Sequence, residues 1–372
     1  MTWRYLLQSL PDEGIIDPNL ELRGVSITNA LSGPGGLSGS LDVGVPHLLD
    51  ADGRSLIQEW KTAIWAEKDG QIRGGGIVDK AIPDGERLSV ECVGIAGIPQ
   101  GQPYEGEPWH GVDVDPLDVV RRCWADVLRH EGSMRNIAVD DTASSGRVGV
   151  EAYVPLTETT APTVSKDDGP VRLNWWDVQD MGALIDEYAQ RGWFDYAEET
   201  RWSADGLRLE HRLRLFAPRK GRRLDGPVAP RFVYGENTDK PSITHLSDRY
   251  ASAIIVLGSG EGREKLRSPA IDRRDGGLRR VETIVDENLK RQEDVDARAN
   301  QELLKRGVRF GVTSLDVWDH PNAPVGSWQV GDEIRVIADL EWLHVDQWAR
   351  VMESTIRPED GDVATLTLKV ER

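Results

Sequence analysis

The sequence offers many residues that could do chemistry, but few arrangements that would let them. Its seven histidines are scattered, and no H-E-x-x-H, C-x-x-C or calcium-loop spacing gathers ligands for a metal. No G-x-S-x-G presents a serine nucleophile. The two cysteines, Cys92 and Cys123, stand in unrelated patterns and are expected as buried small hydrophobes rather than a bridge. Glu198 and Glu199, or Asp140 and Asp141, have the closeness an acid and base need. In a chain with 63 acidic residues such neighbours arise from composition alone, so a solvated face is the expectation for them. His211 falls on an apolar strand face and is expected in a core or a subunit contact, since nothing near it completes a ligand set.

Two glycine-rich stretches could cradle phosphate. A phosphate loop needs a helix after it, because the helix N-terminus supplies the oriented N–H groups. Gly74, Gly75 and Gly76 are followed instead by extended-type sequence, and Gly258, Gly260 and Gly262 have the wrong spacing and lead into a charged segment broken by Pro269. The thirteen tryptophans could stack on sugars, yet Trp124 lies on a helical stripe and Trp65, Trp342 and Trp348 lie in strand patterns. Burial in a core or subunit interface is the expectation for these four. No catalytic, cofactor-binding or metal-ligating residue is assigned, and no cofactor is expected.

The elements that position these residues are mostly strands. Asp69-Gly70 and Asp84-Gly85 each separate two alternating runs, the strongest short-range hairpin signal, so residues 62–95 form a three-stranded meander. The three glycines then mark a bulge or sharp bend in its middle strand. Leu41 and Val43 return the preceding Gly- and Ser-rich loop to extended chain. A helix is expected after Asp115, with Pro116 at its first position and Leu117, Val120, Trp124, Val127 and Leu128 as its stripe, ending by Gly132. A second helix carries Met181, Leu184, Ile185 and Tyr188 and stops at Gly192. Two strands flank Asp205-Gly206, with Leu207, Leu209, His211, Leu213 and Leu215 alternating. Residues 251–257 form a strand followed by a loop. A charged helix spans Asp286 to Gly307 with a stripe of Leu289, Val295, Ala299, Leu303 and Leu304. The C-terminus gives three more strands, one entered through Gly331-Asp332 and the last two joined around Gly361. Residues 140–170 form a linker or exposed excursion.

The length of 372 residues allows two to four domains. A formal charge of −18 argues against stable nucleic-acid binding, which neutralises phosphates with clustered Lys and Arg. No apolar run approaches the roughly 20 residues of an integral membrane segment. The opening residues meet Pro11, Asp12 and Glu13 too early to be expected as a signal peptide.

Several blocks in this order resemble a known family. They are the hairpin "IWAEKDGQIRGGGIV", the run closing on "LRLFAPRKG", "RFVYGENTDKPSITHLSDRYASAIIVLGSGEG", the acidic and arginine-rich helix, and "VGDEIRVI" with two following strands. The chain resembles the tail hub, or minor tail, proteins of long-tailed (siphovirus-type) phages of actinobacteria, which are related in fold to the central baseplate hub of contractile-tailed phages. The resemblance covers most of the chain, except residues 140–170.

It implies a mainly β fold with α (α+β), built as two small β-barrel domains plus helix-containing domains. Their expected bounds are a first barrel over 1–105, an α+β middle domain over 106–235, a strand and helix connection over 236–307, and a second barrel over 308–372. It implies a homotrimer whose ring caps a hexameric distal tail or tail tube protein. Tape-measure protein lies inside, and other minor tail, fibre or spike proteins lie beyond. The location implied is the virion tail tip, after synthesis in the host cytoplasm. The tube-docking hairpins implied are Lys68, Asp69, Gly70 and Gln71 on one side and Gly331 and Asp332 on the other. DNA would pass through without being held, past an acidic wall. The other function class is a cell-wall hydrolase or receptor-sugar binder of the tail. About thirty residues near 140–170 are left over by the hub pattern, too few for a catalytic domain.

Overall fold

The computed structural model describes residues 3–42, 48–49, 53–134, 136–149, 170–226, 229–245, 250–272, 277–287, 289, 291–306 and 310–370. Val43, most of the 140–170 excursion and Gly307 therefore lie outside the described residues. The chain divides into two compact units. The first takes Met1–Arg223, Trp318–Asp332 and Val351–Leu366; the second takes Leu224–Val317, Glu333–Arg350 and Thr367–Arg372.

The first unit opens with β1 (Trp3–Ser9), β2 (Ile15–Asp17), β3 (Arg23–Ala30) and β4 (Gly36–Asp42). The expected meander follows as β5 (Thr62–Lys68), β6 (Gln71–Asp84) and β7 (Arg87–Val93). Strand order is β2-β1-β5-β6-β7-β4-β3, and residues 353–356 pair antiparallel with β3. The central strands are buried on both faces, so their sequence reads as a near-continuous apolar run. On β5, Ala63 and Trp65 enter one core while Ile64 and Ala66 enter the other. Ile77 and Val78 on β6 divide in the same way.

Glycines 74–76 make this arrangement possible. β6 pairs with β5 through residues 71–77 and with β7 from residue 77 onward, so it changes partners at the glycines. A Cβ on Gly74 would lie 2.6 Å from the Ile27 side chain, one on Gly75 would strike the Ile64 carbonyl, and one on Gly76 would strike the Val93 carbonyl. Gly74 and Gly75 also hold φ of +154° and +139°, which L side chains avoid. A register shift beside each pairing marks the bend.

The remaining elements of this unit are β8 (Trp109–Gly111), α1 (Pro116–Leu128), β9 (Ile137–Val139), β10 (Val171–Leu173), α2 (Met181–Gln190), β11 (Asp195–Trp202) and β12 (Leu209–Phe216). The first helix begins as expected, and both are capped: Asp115 and Asp180 each accept a backbone N–H of the first turn. Their stripes, including Trp124, Met181 and Tyr188, join Trp65, Phe194 and Leu213 in one core. Leu207 does not join that alternation. The Asp205 carboxylate accepts from the Leu207 amide and closes a longer turn, leaving Leu207 exposed.

The second unit contains β13 (Phe232–Val233), β14 (Ser242–His245), β15 (Ala253–Leu257), β16 (Ile271–Asp272), β17 (Val281–Val285), α3 (Gln292–Arg306), β18 (Phe310–Val317), β19 (Glu333–Leu340), the first part of β20 (Leu343–Arg357) and the end of β21 (Val363–Val370). β15 lies between antiparallel β16 and parallel β17, and Ile254 and Val256 pack with Val295 and Ala299 of α3. The helix starts at Gln292 rather than at Asp286, because Asp286 to Leu289 instead form a turn over the end of β15. The side chain of Leu304 lies outside the described residues. Trp342, expected in a core or interface, sits at the β19–β20 turn and is exposed in this chain. Trp348 is half-buried.

Mainly β structure with α is thus the class of the fold. Among the described residues no sheet closes on itself, so the β-rich ends expected as small barrels are open sheets. In the first unit the corner in β6 supplies the curvature, and β2 remains as an edge.

Gly75→Ala and Gly76→Ala should each destabilise the protein by about 3 kcal/mol or more, because the added methyl meets backbone that cannot swing aside. Gly85→Ala, at φ +61° in open space, should cost only about 1 kcal/mol. Urea denaturation of the three variants checks the order.

Candidate docking surface

The hairpin expected to dock is built by a two-residue turn. Asp69 and Gly70 take φ of +55° and +78°, and Lys68 pairs with Gln71 across the turn. Two successive left-handed residues match the twist of the flanking strands, which is why Asp-Gly is selected there. Asp69, Gly70 and Gln71 are exposed. Lys68 is not. Its ammonium lies 2.6 Å from Asp362 and over the Trp3 ring, and the Trp3 indole donates to the same carboxylate at 2.6 Å. Lys68 therefore anchors the base of the hairpin, and the turn at Gly361 and Asp362 supplies the anchor.

Gly331 and Asp332 occupy a different environment. Asp332 is 2% exposed, and its carboxylate accepts the amides of Arg222 at 3.0 Å and Gln329 at 3.1 Å. Gly331 donates to the Val351 carbonyl. This pair is a buried joint, since a carboxylate committed to two amides and closed from water has nothing to present to a partner. Of the six residues expected at docking hairpins, Asp69, Gly70 and Gln71 form the exposed tip.

Two titratable groups are set by burial. Glu198, expected on a solvated face, is turned inward and accepts the amides of Gly35 and Ala96, both at 2.9 Å. Burial pushes its pKa up to about 7, against the pull of those two amides. His211 is in the core, as one of its two expected placements had it. Its ring stacks obliquely on Trp65 with centroids 4.9 Å apart, and Nδ1 lies 3.0 Å from the Thr200 hydroxyl. Burial lowers its pKa to about 4, and Nε2 has no hydrogen-bond partner among the described residues.

Glu199 and Asp140 share Arg214, at 2.8 Å each. Glu198, Glu199, Arg214, Lys220 and Arg73 all line one cavity of about 450 Å3 in the first unit. Cys92 and Cys123 are free and buried, with thiols pushed up to about 12 by burial. Among the described residues no group of three His, Cys, Asp or Glu side chains could hold a metal ion. No helix among them is long and apolar enough to cross a membrane.

No family model matches the sequence, and no curated protein matches it. Solved structures do match its fold. A 43 kDa tail protein of prophage MuSo2 from Shewanella oneidensis is 12% identical with a TM-score of 0.56, each chain covered fully. A prophage tail protein, gp18, from Listeria monocytogenes EGD-e is 10% identical with a TM-score of 0.55, over 99% of this chain and 94% of the other. A tail protein from Neisseria meningitidis MC58 is 14% identical with a TM-score of 0.52, over 99% and 96%. The chain has the fold of these phage-type tail proteins across its whole length. None of the three is described as an enzyme.

The two shifted groups should act on stability with opposite signs. His211 binds fewer protons in the folded protein, so its contribution, present above about pH 6.5, is lost as pH falls toward 4. Glu198 holds a proton that the unfolded chain releases, so its contribution, present below about pH 4.5, is lost as pH rises through 7. Relative to wild type, His211→Leu should gain Tm on going from pH 8 to pH 5, and Glu198→Gln should gain Tm on going from pH 5 to pH 8. Parallel melting curves across that range would contradict both assignments.

Proposed function

We propose that this chain is a structural tail protein of a bacteriophage, acting as a hub at the tail tip. The observation that carries this reading is the whole-length correspondence of fold with three tail proteins, which leaves no separate catalytic domain among the described residues. The hub would be a homotrimeric ring that caps the tail tube and joins it to fibre or spike proteins. The β-rich segments near both ends of each chain would present six quasi-equivalent faces to a sixfold partner.

The exposed tip at Asp69, Gly70 and Gln71 is the proposed contact with the tube or distal tail protein, because rigid strands carrying exposed loops are where such contacts are built. The tape-measure protein and the departing genome would pass through the ring. Three chains of −18 bring about −54 formal charges near that path, and an acidic wall lets a duplex slide where a basic one would hold it. No hydrolysis of cell wall is part of this function.

Cryo-electron microscopy of assembled tails tests the reading directly. Three copies of this fold are expected at the tail tip around a channel lined mainly by Asp, Glu and small polar groups. Placement elsewhere in the particle overturns the hub, and a channel wall of Arg and Lys overturns the account of DNA passage. At finer scale, Asp69→Asn combined with Gln71→Arg should block tail assembly by tenfold or more in complementation while shifting Tm by less than about 2 °C, since Asn also takes the left-handed turn conformation and exposed substitutions that keep the turn change stability by no more than about 0.5 kcal/mol. Normal assembly by this variant would remove the hairpin from the docking surface.

A further inference from the structure

In the second unit, β17 stands at the edge of the sheet β16-β15-β17, and among the described residues no strand pairs with its other side. Helix α3 covers one face of that sheet, where Ile254, Val256 and Ile284 pack with Val295 and Ala299. Glu282 is turned to the same side, with its carboxylate 2.7 Å from Arg306 of the helix. The alternate residues point the other way: Val281 is 39% exposed, Val285 is 58% exposed, and Thr283 is exposed between them. The backbone alternates as well. The Arg280 carbonyl accepts from the Ala253 amide and the Asp286 amide donates to the Leu257 carbonyl, so the even-numbered residues bond to β15. The N–H and C=O groups of Val281, Thr283 and Val285 therefore face the open edge.

Sheets usually blunt such an edge with proline, lysine or a bulge. Residues 279–287, RRVETIVDE, contain neither proline nor lysine, and β17 runs beside β15 without a register shift. Instead, two arginines precede the strand and two acids follow it. Laid antiparallel against itself about Thr283, this segment is self-complementary. Val281 meets Val285 of a second copy, Arg280 meets Asp286, and Arg279 meets Glu287. The outward backbone fits the same register, because the pairs Val281 with Val285 and Thr283 with Thr283 are then the hydrogen-bonded ones, each exchanging two N–H···O bonds. Opposite charges and β-branched side chains are favourable when they face each other across strands. A slip of two residues sets Glu282 against Asp286 in one direction and against its own copy in the other, and a slip of one turns the backbone groups out of reach.

We propose that two copies of this chain associate through β17, edge to edge and antiparallel, joining three strands from each copy into one sheet. Arg279 and Glu287 now pair with Asp272 and Lys265, both at 3.1 Å. These are exposed ion pairs, which contribute little and exchange partners readily. The contact is two-fold, so it is separate from the threefold ring of the proposed function and does not rest on it.

Sedimentation equilibrium of the full chain tests the contact at concentrations up to about 100 μM, the range in which a small interface associates. Thr283→Pro removes an outward N–H and leaves the bonds to β15 in place, a substitution that an edge strand tolerates. It should halve the mass, from two chains to one, or from six to three where the ring also forms in solution. Arg279→Glu and Glu287→Arg each place like charges opposite one another at both ends of the paired strands, and each should weaken association by about tenfold or more. An equal mixture of these two variants should recover it, since each altered end then faces an opposite charge; damage to the fold would not be repaired by mixing. Melting curves confirm that the variants are folded, and if Thr283→Pro is not, the two charge variants and their mixture decide. A wild-type mass of one or three chains throughout the range, unchanged association in a folded variant, or no recovery in the mixture each overturns the contact. Such a failure leaves the tail location untouched, and absence of the chain from tails leaves the contact untouched.

Discussion

No side-chain atom fits at residues 74, 75 and 76, and the first unit is organised by that exclusion. Each glycine is demanded by a different neighbour: the Ile27 side chain, the backbone of β5 and the backbone of β7. Because all three strands crowd one point, β6 can leave β5 and take up β7 without breaking the sheet. The bend turns β5 and β1 into central strands covered on both faces, one by the strands of the opening segment and the other by α1, α2 and β12. Close packing on two sides then fixes register tightly, since a slip of one residue would exchange the two sets of buried side chains.

The double burial also explains where polar groups are trapped. Gln8 on β1 is fully buried and accepts the Trp65 indole at 2.7 Å, so the one polar side chain there completes the one polar atom of its neighbour. His211 stacks on the ring of the same tryptophan, and its Nδ1 meets the Thr200 hydroxyl. Glu198 is answered by amides of two loops that come from far away in the chain. This is a solution of long-range geometry. It ties strand β11 to the loops beside β4 and β7 with one hydrogen bond to each.

Local signals in the sequence located the central meander, the three helices, β11, β12, β15 and the last three strands. Asp-Gly pairs marked the turns at 69–70 and 84–85, Asp115 with Pro116 marked the start of α1, and the stripes of α1, α2 and α3 were those that the cores use. What escaped depended on partners distant in sequence. Glu198 looked like one of many surface acids, because nothing near it announces the amides of Gly35 and Ala96. Asp332 looked like an exposed turn residue, but Arg222 and Gln329 close over it. Trp342 sat in an apolar alternation that stops at the turn, where the strand periodicity no longer buries it.

The division of the chain has a consequence for inheritance. Each compact unit is assembled from three separate stretches, and β20 begins in one unit and ends in the other. A single genetic crossover pair replaces one continuous run of residues, so it cannot deliver either unit to another gene without carrying part of the other. Exchange between relatives would then bring half-strands together with unfamiliar partners.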